Sequence, residues 1–417
     1  MILRLCSMVV LLLSILSVDS LAEQSLTIQN CISMAVENHP TLAQKKTSIQ
    51  KSNVEVSSAY SSYFPNMDLS TGYRNAGSSF GEREGSYSTS IGVNYSVYEG
   101  GYRSSAVKAA RARVGVAEEQ YRQSEQELIL EVKEAFFAIL QKQEQLTLVE
   151  NVVKRRREAL VLINLRYESG RESLPAVKEA EANLLQAEYD RKRAEEELAL
   201  ARVTLNLLIG RPRKTELSLE YRDADTQFPP LETLIEQAKA ERPELRLEKA
   251  NTVALQAQVT QAKSSYLPRI SLSSSYQWQG SEFLEQKDNW SVGVSLSLPI
   301  FDGFSTKARV QDAALSLESE SERIRGLEQQ IEKEAEQAYS TWELAQRIIK
   351  VTETTLGAAH DMYELTKLQY EQGLTSYFFL QDKESGLTQA ENNRLDALFN
   401  LRVSASRLAK AWGRMSS

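Results

Sequence analysis

The stretch NWSVGVSLSLPIFDG, Asn289 to Gly303, decides how the rest of the chain is read. Trp290, Val292, Val294, Leu296, Leu298 and Ile300 are apolar at every second position, with Ser291, Gly293, Ser295 and Ser297 between them. A period of two is that of a β-strand with one apolar and one wet face. Yet the sequence on either side reads as long, charged, Ala- and Glu-rich helix, and no run of strands supplies a second sheet to cover the apolar face. The partner of that face has to lie outside an ordinary globular core.

The 417 residues, 42% hydrophobic and 25% charged, are globular in composition. Arg4, the apolar run Met8 to Leu16 and the small residues Ser20 and Ala22 before Glu23 form a Sec-type signal peptide over residues 1–22. The mature chain is therefore expected to leave the cytoplasm. No later segment offers the ~18 uninterrupted apolar residues of a membrane helix. Cys6 leaves with the signal, so Cys31 remains as a single buried, inert thiol without an intrachain disulfide. The net charge of −7 gives no basic footprint for nucleic acid.

The chain is a tandem duplication. Pro40, Tyr63, Pro65, Leu69 and Tyr73 recur as Pro243, Tyr266, Pro268, Leu272 and Tyr276, always 203 positions on. The offset holds through Val97-Tyr98-Glu99-Gly100 and Ile300-Phe301-Asp302-Gly303, the two Tyr-Glu-x-Gly stretches ending at Gly170 and Gly373, and Gly210 and Gly413. Residues 23–210 form the first repeat and 231–417 the second, joined by a Pro-containing linker over 211–230. Each reads as helix, strand, strand, very long helix, turn, helix. The strands are expected at 66–75, 87–98, 269–279 and 289–301, in the length range of transmembrane β-strands.

The long helices are expected from about Arg103 to Tyr167 and from about Thr306 to Tyr370, roughly 100 Å each. Val107, Val114, Tyr121 and Leu128, then after a skip of four Val132, Ile139, Leu146, Val153, Leu160 and Tyr167, mark a heptad seam that the second copy repeats. Neither His39 nor His360 has company that suggests catalysis, and there is no phosphate loop, nucleophile elbow or metal-ligand pair. No enzyme and no cofactor are expected. Arg155-Arg156-Arg157 reads as a solvated helix face.

Four strands cannot close into a pore alone. Several copies can, with lipid on the apolar face (Trp290, Val292, Val294, Leu296, Leu298) and water behind the serines. The long helices then hang in the periplasm. The helix openings Ala35-Val-Glu-Asn-His-Pro-Thr-Leu42 and Ala238-Lys-Ala-Glu-Arg-Pro-Glu-Leu245, the strand exits Val97-Tyr-Glu-Gly-Gly101 and Leu298-Pro-Ile-Phe-Asp-Gly303, and the two Tyr-Glu-x-Gly turns together resemble the TolC-like outer-membrane efflux proteins over nearly the whole mature chain.

That resemblance implies a mainly α fold with a membrane β-barrel part: a homotrimer with a 12-stranded barrel continued by a periplasmic α-helical tunnel in the bacterial cell outer membrane. The implied function is the exit duct of a tripartite efflux pump or a type I secretion system. Its partners would be outer-membrane lipid, a periplasmic adaptor (membrane fusion) protein and an inner-membrane RND, ABC or MFS transporter. The alternative is a secreted, soluble coiled-coil scaffold or adaptor without a pore.

The two turns, with Tyr167, Gly170, Leu174, Tyr370, Gly373 and Leu374, are expected at the periplasmic tip against the adaptor. The family often carries Ser-Tyr-Leu-Asp-Val-Leu-Asp after the second turn. Here Ser376-Tyr-Phe-Phe-Leu-Gln-Asp382 keeps one acid, Asp382, and replaces the other by Phe379. Glu179 is the repeat counterpart of Asp382, so Glu179, Phe379 and Asp382 are the expected tunnel constriction.

Overall fold

The computed structural model describes residues 26–77, 84–222, 227–283 and 288–415, so the expected signal peptide lies outside the described residues. The first half folds as α1 (Ile28–Asn38), α2 (Pro40–Ser61), β1 (Asn66–Ala76), β2 (Glu84–Tyr98), α3 (Tyr102–Glu168) and α4 (Leu174–Leu208). The second half repeats the order as α5 (Leu231–Glu241), α6 (Pro243–Lys263), β3 (Arg269–Gly280), β4 (Asp288–Ser297), α7 (Ser305–Glu371) and α8 (Tyr377–Trp412). The long helices α3 and α7 have 67 residues each.

Local chemistry places the boundaries. The proline after His39 and after Arg242 holds those residues extended, which ends one helix and opens the next with Pro40 and Pro243 in its first turn. Ser173 and Ser376 cap α4 and α8, accepting from the N–H groups of Ala176 and Phe379 at 3.4 Å. Leu26 extends the first half onto the linker: its N–H donates to Ser218 O at 2.8 Å and its own carbonyl accepts from Glu220 N–H at 3.1 Å. The linker is thus pinned rather than free at this point.

The duplication is visible in the cores. Cys31, Ala35, Leu42, Leu128, Val132 and Leu205 are buried in the first half, and Leu234, Ala238, Leu245, Ile331, Ala335 and Leu408, their counterparts 203 positions on, are buried in the second. Cys31 therefore does the packing work of a leucine, and burial pushes its thiol up to about 11. The skip in the heptad seam, between Leu128 and Val132 and between Ile331 and Ala335, falls where the long helices pass these two cores. There the apolar side must turn to meet the short helices α1 and α5.

The four strands form one antiparallel sheet in the order β1-β2-β3-β4. On the strand side, neighbouring helices run α2, α3, α6, α7; beyond the cores they run α4, α3, α8, α7. Sheet and helical layers are both open at two edges. The observed strands differ from expectation at their ends. β2 begins at Glu84, and β4 stops at Ser297, short of 301, because Pro299 cannot donate to a ladder and no strand lies beyond β4. Val97 is not a plain member of the alternating row: the register shifts between Ser96 and Tyr98, and the bulge turns Tyr98 to face the same way as its partner Ile270.

Candidate functional site

The register sorts the sheet into two rows. Leu69, Ile91, Tyr276 and Trp290 share one face, since Leu69 pairs with Ile91, Ile91 with Tyr276, and Tyr276 with Trp290. The other face holds Ser70, Ser90, Gln277 and Asn289 in the same fashion. Trp290, Val292, Val294, Leu296 and Leu298 are all exposed, as the open sheet requires. From Trp290 to Leu298 the row runs about 27 Å along the strand, or roughly 20 Å of membrane depth at the usual tilt. On the polar face Ser70 meets Ser90 at 2.8 Å, Ser271 meets Ser295 at 2.7 Å and Ser275 meets Ser291 at 2.9 Å.

At the other end of the long helices, α3 and α7 finish in matching turns. Gly170 (φ 71°) and Gly373 (φ 79°) are left-handed. Gly170 N–H bonds Tyr167 O and Arg171 N–H bonds Arg166 O; Gly373 and Leu374 repeat both bonds onto Tyr370 and Gln369. Tyr167, Leu174 and Leu374 are exposed. Tyr370 is not: it is fully buried, its hydroxyl donates to Glu172 at 3.0 Å, and the Arg166 guanidinium lies over its ring at 4.5 Å. Burial, and then the bond to the Glu172 carboxylate, hold the Tyr370 proton well above the ordinary phenol range. Tyr370 ties the two turns together and offers no ring to a partner, which corrects its expected place among the docking residues.

Gly170→Ala is expected to cost about 1–2 kcal/mol of local stability from backbone strain alone, because a Cβ there meets nothing within 4 Å. Gly373→Ala should cost more, since its Cβ would fall 3.3 Å from Arg166 Nη2. Hydrogen exchange of the turn amides, faster in both variants and fastest for Gly373→Ala, is the check.

Glu179, Phe379 and Asp382 occupy the first turns of α4 and α8. Gln381 donates to Glu179 Oε1 at 3.3 Å, which brings the two helix starts side by side. All three residues are exposed. Asp382 is ion-paired with Lys383 at 2.9 Å, and the Lys383 ammonium sits 4.7 Å over the Phe379 ring. The acid at this level is therefore partly offset by its own neighbour.

Sequence reasoning missed the cluster just beyond. Arg155 and Arg156 do not form a solvated face. Arg155 donates to both carboxylate oxygens of Glu391 (3.0 and 2.8 Å) and to Thr388, and Arg156 donates to Glu384 at 3.3 Å and to Asn183 O at 3.0 Å. The Glu384 side chain is 9% exposed. Tyr363, its hydroxyl pushed by burial up to about 12, and Tyr377 close the cluster. Only Arg157 turns outward, paired with Glu188 at 2.8 Å. Three consecutive residues on a helix point about 100° apart and cannot share one environment. That spacing was the available signal, and the four-helix layer decides which of the three turns in.

Among the described residues no helix is long and apolar enough to cross a membrane, and no group of three or more His, Cys, Asp or Glu side chains could hold a metal ion. Comparison with known proteins joins these parts. A profile of the outer membrane efflux protein family matches residues 31–211 and 234–414, one match in each repeat. The outer membrane protein TolC of Vibrio cholerae is 24% identical over 395 residues, covering 92% of this chain and 89% of TolC. Protein CyaE of Bordetella pertussis is 27% identical over 302 residues, 69% of this chain and 63% of CyaE, so the match spans less than two thirds of that relative. A solved structure of CusC superposes with a TM-score of 0.82 at 19% identity, over 93% of this chain and 92% of that one. The chain belongs to the outer membrane efflux protein family and is an outer-membrane exit channel with a periplasmic helical tunnel.

Proposed function

We propose that three copies of this chain close into a passive duct through which an inner-membrane transporter of the RND, ABC or MFS type, acting through a periplasmic adaptor, expels its cargo. The observation that carries this reading is the pair of open edges shared by the four-stranded sheet and the helical layer beneath it. Two copies would give eight strands, whose interior side chains just fill. Three give 12 and leave a wet lumen behind the serine row. On this reading the duct is passive and the energy comes from the partner transporter. Efflux of small solutes and type I secretion use the same duct; the relative CusC is named a cation efflux system protein.

The exposed tip residues Tyr167, Gly170, Leu174, Gly373 and Leu374 are the proposed adaptor contact, and Glu179, Phe379 and Asp382 the proposed constriction. Two carboxylates per copy at one level, with Asp382 only partly offset by Lys383, favour cations. The purified protein should conduct in a planar bilayer with no nucleotide present. Asp382→Ala should lower its cation preference and leave the Lys383 ammonium without that carboxylate, and Phe379→Ala should raise resting conductance. A protein that forms no conducting pore would end the duct reading; unchanged selectivity and conductance in both variants would place the constriction elsewhere.

A further inference from the structure

Within one chain, the second strand of the first repeat pairs with the first strand of the second repeat. Ile91 stands opposite Tyr276, Val93 opposite Ser274, Tyr95 opposite Leu272 and, past the bulge, Tyr98 opposite Ile270. The two edges left open, β4 and β1, are the repeat counterparts of these same two strands. Building on the three-copy reading, we infer that β4 of one copy pairs with β1 of the next in the register obtained by carrying the internal pairing across the 203-residue offset: Val294 opposite Tyr73, Leu296 opposite Thr71, Leu298 opposite Leu69 and Phe301 opposite Met67.

Several independent features fit a second copy of this chain and leave little room for another occupant. The transferred pairs keep Val294, Leu296, Leu298, Tyr73 and Leu69 on the apolar face, interrupted only by Thr71, so the mainly apolar row continues from copy to copy; a slip by one residue would reverse it. The corner that follows the strand points the same way. A Cβ on Gly100 would fall 2.7 Å from Leu267 Cβ and 2.9 Å from Ser264 O, whereas its counterpart Gly303 meets nothing within 4 Å. The counterparts of Leu267 and Ser264 are Phe64 and Ser61, and Phe64 is 70% exposed. The missing neighbour of Gly303 is the Phe64 corner of the next copy.

Phe304 adds a second sign. It is the one non-glycine at positive φ among the described residues (65°), standing where the first repeat has Gly101. A bulky residue persists there when surrounding structure holds it. Its ring is 67% exposed and Phe301, its T-shaped partner at 5.6 Å, is 76% exposed, so the single chain does not supply that structure. In the helical layer the internal pair Gln145–Asn392, bonded at 3.0 Å, transfers to Ile348 and Tyr189, both apolar in body and both exposed. At this height the pair within the chain is polar, and its counterparts on the two open edges are apolar.

Cysteine pairs in the full chain test this. Directly opposed residues have Cα atoms about 4.5–5.5 Å apart, within disulfide reach, while residues displaced by two are beyond it. Cys31 is fully buried and stays silent. Val294→Cys with Tyr73→Cys should give disulfide-linked dimers and trimers under mild oxidation, several-fold more than Val294→Cys with Thr71→Cys or with Asn75→Cys. Ile348→Cys with Tyr189→Cys should link chains as well. Light scattering of the unoxidised protein in detergent reads the oligomer separately. A trimer that links through Thr71 or Asn75 rather than Tyr73 overturns the register and leaves the duct standing; a monomer overturns both.

Discussion

Glu384→Ala should destabilise the helical layer by about 3–5 kcal/mol, because removing one member of a buried ion pair strands its partners. Glu384 lies between Arg155 and Arg156, its carboxylate 3.7 Å from one guanidinium and 3.3 Å from the other. Without it Arg156 keeps only the Asn183 carbonyl, while Arg155 retains Glu391 and Thr388. Arg157→Ala, a residue away on the same helix, breaks only an exposed pair and should cost less than about 1 kcal/mol. Urea titrations followed by helical circular dichroism separate the two. Similar midpoints for both variants would mean that the cluster contributes no more than a surface pair.

Val294→Arg is the other large effect. At the bilayer midplane an arginine on the lipid side of a barrel costs about 2–4 kcal/mol. Ser295, the next residue, lies on the opposite face across from Ser271, so Ser295→Arg should fold with far less loss. The yield of folded, detergent-resistant oligomer in liposomes reads both. Equal losses would contradict the division of the sheet into a lipid row and a water row.

Much of the fold was legible because repetition amplifies weak signals. The alternation in Asn289 to Ser297 is short, but it recurs in three further strands that pair off at the 203-residue offset, β1 with β3 and β2 with β4, and two heptad seams with the same skip are hard to read as anything but paired long helices. Strand ends were less legible. β4 was expected to reach 301 because the apolar alternation runs on through Leu298 to Ile300; its counterpart β2 reaches Tyr98 with neighbours on both sides, and β4 has one on only one side. The two turns were legible but not their union, since nothing in the spacing of Arg166, Glu172 and Tyr370 shows that the first two clasp the third. Arg155 and Arg156 were misread for the same reason. Charge on a helix says that it needs a partner, and only packing says whether the partner is water.

The serine pairs on the inner side of the sheet bear on how cargo moves. Between Asn66 and Arg74, Ser86 and Ser96, Arg269 and Gln279, and Asn289 and Ser297, that side carries charge only at Asp68, Arg74 and Arg269. Six of its serine hydroxyls are engaged with one another, Ser70 with Ser90, Ser271 with Ser295 and Ser275 with Ser291. A hydroxyl already engaged by its neighbour gains little by gripping a passing molecule. Such a lining is wetted but not adhesive. Facing a lumen, such a surface offers passing molecules few fixed partners, so discrimination among them is expected to fall to other parts of the route.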